Sequence, residues 1–109
     1  MIRACAVDDV PIGEGRTVTL DGRKVALFRT RSGWYALDAA CPHLGGPLAD
    51  GIVSEQSVIC PLHERRFALA TGEPLSGGCG VAAHRVTVVG PSVFVTLGAQ
   101  TAEADRLTA

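Results

Sequence analysis

Two short motifs in the sequence place thiols and imidazoles where they could share a metal. One is Cys41-Pro42-His43, and the other is Cys60-Pro61-Leu62-His63, with residues 44–59 between them. Thiolate sulfur and imidazole nitrogen together suit zinc or an iron–sulfur cluster, and they suit magnesium or calcium poorly. The two motifs therefore predict a metal site with four ligands: Cys41, His43, Cys60 and His63.

Short apolar runs broken by turn dipeptides surround these motifs and predict an all-β, antiparallel domain. Asp21-Gly22 favours a hairpin, because the tight turn between two strands needs positive φ at its centre. Gly90-Pro91 separates the apolar runs 85–89 and 93–97 in the same way. We expect a β-sandwich or barrel that carries a small site-bearing insert, near residues 38–75, made of two facing loops.

Composition excludes several classes of protein. The chain has 109 residues, of which 47 % are apolar, and these values predict one globular domain. Ten Lys and Arg against eleven Asp and Glu leave no basic field for nucleic acid. No apolar run approaches the roughly 20 residues of a membrane span, and the first residues lack the apolar core of a signal peptide. We expect a cytoplasmic protein that contacts no membrane, in which paired Cys and His indicate metal and not disulfides.

The order Cys-x-His followed by Cys-x-x-His resembles the signature of the Rieske [2Fe–2S] family. The resemblance covers residues 34–97. It is specific at 41–48 and at 60–63 and continues into 66–74, with Glu64 departing from the Gly that many relatives carry. It implies an all-β Rieske fold and one [2Fe–2S] cluster per chain. Cys41 and Cys60 would bind one iron, and His43 and His63 would bind the other.

Residues near the second motif place the chain among low-potential members of the family. Two ferric ions, two sulfides and two thiolates sum to zero charge, so the cluster accepts an electron more easily than one with four thiolates. High-potential members add hydroxyl residues two and four positions after the second His, where this chain has Arg65 and Phe67. They also add a disulfide at the positions of Gly46 and Leu62. The resemblance therefore implies a potential in the lower part of the Rieske range.

The function implied is one-electron transfer, with no catalysis by the chain alone. A reductase that uses NAD(P)H and a flavin would be the donor, and a terminal oxygenase would be the acceptor. The alternative is the Rieske small subunit of an assimilatory NAD(P)H nitrite reductase, to which 65–67 and 69–75 are similar. We expect a Rieske domain over residues 1–99 and a tail over 100–109.

Simpler interpretations stay open beside these. A structural zinc would use the same four ligands. Arg65 and Arg66 are either solvated charges or a docking patch for a redox partner. His84 cannot build a mononuclear iron site alone, and we expect it at a strand edge. Cys5 suits a small core position, and Cys79 suits an unpaired thiol in a Gly-rich loop.

Overall fold

The structure, a computed structural model, describes residues 1–39, 47–60, 65–75 and 80–97 of the chain. These ranges contain short strands, tight turns and two single-turn 3-10 helices, at Val7–Asp9 and Leu48–Asp50. Among them there is no helix long and apolar enough to cross a membrane. In chain order the strands are β1 Ile2–Ala6, β2 Glu14–Leu20, β3 Arg23–Thr30, β4 Gly33–Asp38, β5 Ile52–Val53, β6 Ser57–Ile59, β7 Arg66–Ala68, β8 Ala83–Val89 and β9 Ser92–Thr96.

Six of these strands form one antiparallel sheet in the order β1-β9-β8-β4-β3-β2. The two outer strands, β1 and β2, contact each other, so the sheet curls nearly into a barrel. The predicted all-β antiparallel architecture is confirmed.

The hairpin of β2 and β3 follows from its local sequence. Asp21 and Gly22 have φ of 55° and 80°, the backbone that the Asp-Gly pair favours in a two-residue hairpin turn. Pairing then runs without a break to Glu14 opposite Arg29. Strand β2 therefore begins at Glu14.

Strand β3 is buried on both faces and links two cores. Val25 and Leu27 point into the barrel core, which consists of Leu20, Val25, Leu27, Ala36, Val93 and Val95. Ala26 and Phe28 point the other way, because side chains alternate along a strand. They join the joint core, which consists of Ala26, Phe28, Leu37, Ala39, Leu48, Ala49, Val58, Cys60, Phe67, Leu69 and Val81.

A small antiparallel sheet of β5, β6 and β7 packs on this second face of β3. Its inward side chains Val58 and Phe67 are fully buried in the joint core. A bridge between Phe67 and Pro74 adds a fourth segment to the sheet. The small sheet falls within the insert predicted near 38–75, although β5 itself was not predicted.

Glu55 ties the turn between β5 and β6 to the turn between β3 and β4. Its carboxylate accepts hydrogen bonds from the backbone N–H groups of Arg31, at 3.3 Å, and Ser32, at 3.2 Å. The Ser32 N–H also approaches Thr30 Oγ1 at 3.1 Å. The small sheet is thus held at its turn as well as through the joint core.

Candidate metal centre

The first predicted ligand pair follows β4. Cys41 and His43 lie outside the described residues, which resume at Pro47. The Leu48 N–H donates to the Ala39 carbonyl at 2.9 Å, and the Ala39 N–H donates to the Lys24 carbonyl at 3.2 Å. Ala39 and Leu48, on the two sides of the first motif, are therefore bonded to each other, and Ala39 is bonded to β3.

The second predicted pair follows β6. Cys60 is described and 1 % exposed, its thiol forms no disulfide, and His63 lies outside the described residues. The Cys60 N–H donates to the Arg65 carbonyl at 2.7 Å. This bond joins the two sides of the second motif as the Leu48–Ala39 bond joins those of the first.

The joint core brings residues that flank the first motif into contact with Cys60 of the second. Ala39 and Leu48, which flank the first motif, share this core with Cys60 of the second. A third segment arrives beside them, since the Val81 N–H donates to the Gly72 carbonyl at 2.9 Å. The intervening residues 76–79, with Cys79, lie outside the described residues.

The chemistry of the donor set fits an iron–sulfur cluster. Cys60 offers a buried sulfur that is not used in a disulfide, and a metal binds such a sulfur as the thiolate. Two thiolates and two imidazoles are the ligand set of a Rieske [2Fe–2S] cluster, which supplies reversible one-electron chemistry when bound. The described ranges contain no group of three metal-binding side chains, because three of the four predicted ligands lie outside them.

The two positions that carry hydroxyls in high-potential relatives offer none here. Phe67 is fully buried and packs in the joint core. Arg65 is half-buried, and its carbonyl accepts the bond from Cys60. Hydroxyl donors to cluster sulfur raise the potential, and neither side chain carries one.

A polar network that the sequence did not reveal lies at the end of β4. The His84 ring is fully buried, and its Nε2 lies 2.9 Å from Asp38 Oδ1. Arg23 Nη2 lies 3.0 Å from the same oxygen. His84 Nδ1 has no partner among the described residues, and Nε2 donates a hydrogen bond to the Asp38 carboxylate, which can only accept.

The expectation that His84 lies at a strand edge is wrong. Its strand β8 lies between β4 and β9, and His84 pairs with Ala36. Asp38 and His84 are 46 residues apart, so no local sequence signal could have joined them.

Cys5 lies on β1, half-buried and packed against the barrel core. Burial raises the pKa of the Cys5 thiol, and the nearby Asp9 carboxylate raises that pKa further. Cys5 packs against the core, as its sequence context predicted, although it is only half-buried. The raised pKa makes its thiol weakly reactive.

Comparison with known proteins agrees with this geometry. The model of the Rieske [2Fe–2S] domain matches residues 1–89. The ferredoxin component of a naphthalene 1,2-dioxygenase system from Pseudomonas aeruginosa is 31 % identical over 98 residues, which are 88 % of this chain and 94 % of the relative.

Solved structures share the fold. A ferredoxin of carbazole 1,9a-dioxygenase from Nocardioides aromaticivorans IC177 is 30 % identical, with a TM-score of 0.81 over 87 % of this chain and 95 % of that one. A structure of the carbazole 1,9a-dioxygenase system, 28 % identical, is a complex of reduced oxygenase and oxidised ferredoxin. A putative NADH-dependent nitrite reductase small subunit from Mycobacterium tuberculosis is 31 % identical, with a TM-score of 0.80 over 85 % of this chain and 90 % of that one.

The chain belongs to the Rieske [2Fe–2S] domain family. It is an electron carrier that binds one [2Fe–2S] cluster and does not itself catalyse a reaction.

Proposed function

We propose that this chain carries single electrons from an NAD(P)H-dependent flavin reductase to the terminal oxygenase of a ring-hydroxylating system, in the cytoplasm. The observation that supports this route most is the match to a dioxygenase ferredoxin over 94 % of its length. In the carbazole 1,9a-dioxygenase system, a ferredoxin of this fold forms a complex with the oxygenase.

Within this function, the ligands are Cys41, His43, Cys60 and His63. The burial of Cys60 without a disulfide supports the assignment, as do the paired bonds that close each motif. The Rieske domain extends over residues 1–99, and 100–109 form a tail.

Substitution of the cysteines tests the ligand assignment. Cys41→Ser and Cys60→Ser abolish the visible and EPR signals of the cluster, while Cys5→Ser, a control at a half-buried thiol, retains them. Iron and acid-labile sulfide are measured alongside. A colourless protein that contains one zinc and no sulfide would identify a structural zinc module instead.

Reconstitution tests the electron route. The holoprotein is mixed with NADH, the reductase component of a naphthalene dioxygenase system and its oxygenase, and formation of the hydroxylated product is measured. Product that depends on the holoprotein is the expected result. Absence of product together with transfer of electrons to a nitrite reductase large subunit would contradict this route.

The second candidate function is that of a nitrite reductase small subunit. The 31 % identity to the Mycobacterium tuberculosis protein favours it. The resemblance of residues 65–67 and 69–75 to nitrite reductase small subunits, noted from the sequence, points the same way. Stable co-purification with a sirohaem-containing large subunit would distinguish this function from that of an oxygenase ferredoxin. The ferredoxin must leave its reductase and bind its oxygenase for each electron that it carries, so it forms no stable complex.

A further inference from the structure

Asp38 ends β4 at the point where the chain leaves the large sheet toward the first ligand motif. Strand β4 is Gly33–Asp38, and Cys41 follows three residues later in the sequence. Three residues of chain span at most about 11 Å. Whatever fixes the end of β4 therefore also limits where the first proposed ligand can lie.

The Asp38 carboxylate is held from both neighbouring strands. In the large sheet, β4 lies between β8 and β3. From β8, His84 Nε2 lies 2.9 Å from Asp38 Oδ1. From β3, Arg23 contacts both carboxylate oxygens, with Nε 3.2 Å from Oδ1 and Nη2 3.3 Å from Oδ2. Such a two-point contact fixes the orientation of the carboxylate as well as balancing its charge.

Backbone hydrogen bonds meet at the same position. The Asp38 N–H donates to the Ala82 carbonyl at 2.9 Å, and the Ala39 N–H donates to the Lys24 carbonyl at 3.2 Å. The Leu48 N–H, beyond the first motif, donates to the Ala39 carbonyl at 2.9 Å. The end of β4 is therefore tied to its neighbours on either side and to the segment that follows the motif.

Stability alone does not account for a histidine at position 84. The His84 ring is fully buried, and its Nδ1 has no partner among the described residues. A buried polar atom without a partner destabilises a fold, whereas an apolar side chain of similar size would leave no such atom. A buried polar pair can instead specify one arrangement of the segments that it joins. The segments joined here are β8 and the end of β4.

We propose that Asp38 is a positioning residue for the iron–sulfur cluster: held by His84 and Arg23, it fixes the end of β4 and so restrains the chain that carries Cys41 and His43. The proposal rests on the ligand assignment proposed above and deepens it by one residue. Residues that hold metal ligands in a single orientation slow the loss of the metal. Asp38 acts in this way through the chain between itself and Cys41.

The rate at which the holoprotein loses its cluster to a chelator tests this role. Decay of the visible absorbance is followed in an excess of EDTA, well below the melting temperature. The variants are Asp38→Ala, Asp38→Asn and His84→Leu. Val93→Ala is the matched control, because Val93 is fully buried in the barrel core and pairs with Val88, at the other end of β8 from His84. The melting temperature and the EPR spectrum of the reduced cluster are recorded for each variant.

Asp38→Ala is expected to lose its cluster about tenfold faster than the wild type, because the free energy lost with a buried acceptor corresponds to roughly a factor of ten in an equilibrium constant. Its EPR lines are expected to broaden, since the ligands then adopt more than one arrangement. Asp38→Asn is expected to stay within about threefold of the wild-type rate, because its amide oxygen still accepts the hydrogen bond from His84.

His84→Leu separates positioning from stability. Leucine leaves no unpaired polar atom in the core, so the melting temperature is expected to fall less than that of Asp38→Ala. Asp38 nevertheless loses one of its two side-chain partners, and cluster loss is expected to be about threefold faster than in the wild type. Val93→Ala should show the opposite combination: its melting temperature falls because of the cavity in the barrel core, while its rate of cluster loss and its EPR spectrum match those of the wild type.

Cluster loss that accelerates equally in Val93→Ala and Asp38→Ala would overturn the positioning role, because the rate would then follow stability alone. If Asp38→Ala does not fold, His84→Leu decides the matter. Cluster loss at the wild-type rate in His84→Leu would overturn the role, and faster loss at a nearly unchanged melting temperature would support it. An error in the ligand assignment is distinct, because Cys41→Ser would then retain the cluster spectrum.

Discussion

Asp38→Ala is expected to destabilise the fold through the buried ring of His84. The substitution removes the acceptor that lies 2.9 Å from His84 Nε2. The ring is fully buried and its Nδ1 has no partner among the described residues. The hydrogen bond to Asp38 is therefore the polar contact of the His84 ring among the described residues.

The magnitude follows from two contributions. Leaving the buried Nε2–H without an acceptor costs about 1–3 kcal/mol. The ion pair with Arg23, whose two side chains are each 33 % exposed, adds about 0–1 kcal/mol because water screens it. The sum of about 1–4 kcal/mol corresponds to a fall in melting temperature of roughly 5–20 °C for a domain of this size.

Thermal unfolding of the holoprotein, followed by far-ultraviolet circular dichroism, measures this effect. Arg23→Ala removes only the exposed pair and is expected to cost about 1 kcal/mol or less. Asp8→Ala, at an exposed carboxylate, is the control for loss of a negative charge. In a His84→Phe background the cost of Asp38→Ala should shrink, since the unpaired N–H is gone.

The reasoning would be refuted if Asp38→Ala melted within about 2 °C of Asp8→Ala, a difference of less than about 0.5 kcal/mol. It would also be refuted if Asp38→Ala and Arg23→Ala were equally destabilising, because the exposed ion pair would then account for the whole effect.

Three further predictions follow from particular positions. Gly72→Ala should lower the free energy of unfolding by several kcal/mol, because Gly72 has φ of +77° and an added Cβ would collide with the Val81 carbonyl oxygen. The control Gly22→Ala, at φ of +80° in open space, should lower it by only about 1 kcal/mol. Equal losses of stability in urea denaturation would contradict this explanation. Alkylation of Cys5 at pH 8, followed by peptide mass spectrometry, should be slower in the native protein than in the unfolded one, because burial raises the pKa of that thiol. It should be faster in native Asp9→Asn than in the native wild type, because the Asp9 carboxylate also raises that pKa. An unchanged rate in Asp9→Asn would argue against the charge effect. The midpoint potential of the cluster should lie in the lower part of the Rieske range, and a value above about +150 mV by spectroelectrochemical titration would refute the assignment to the low-potential branch.

Local features of the fold were readable from the sequence. The turn at Asp21 and Gly22 depends on two adjacent residues that favour the positive φ of a tight hairpin turn. The structure confirms the hairpin there. The apolar runs 85–89 and 93–97, separated by Gly90-Pro91, similarly indicated the hairpin of β8 and β9. Strand β5 was not predicted, because two residues are too few to show a strand pattern in the sequence.

The position of His84 could not be read in this way. Whether a histidine lies at an edge or in the middle of a sheet depends on which strands pair beside it. That pairing joins β8 to β4 across residues 39–82, which include the small sheet. Bringing together two strands so distant in the chain depends on the packing of the whole domain. The contact with Asp38 follows only after the pairing is made.

The sequence by itself determined the chemistry of this protein. Thiolate and imidazole ligands indicate zinc or an iron–sulfur cluster, and the resemblance of Cys-x-His and Cys-x-x-His to the Rieske signature implies the cluster. Tertiary structure decided what surrounds those ligands. It buried Cys60 in the joint core, joined Asp38 to His84 and left Ile52 and Leu75 exposed, because burial is set by contacts between segments that are distant in the chain.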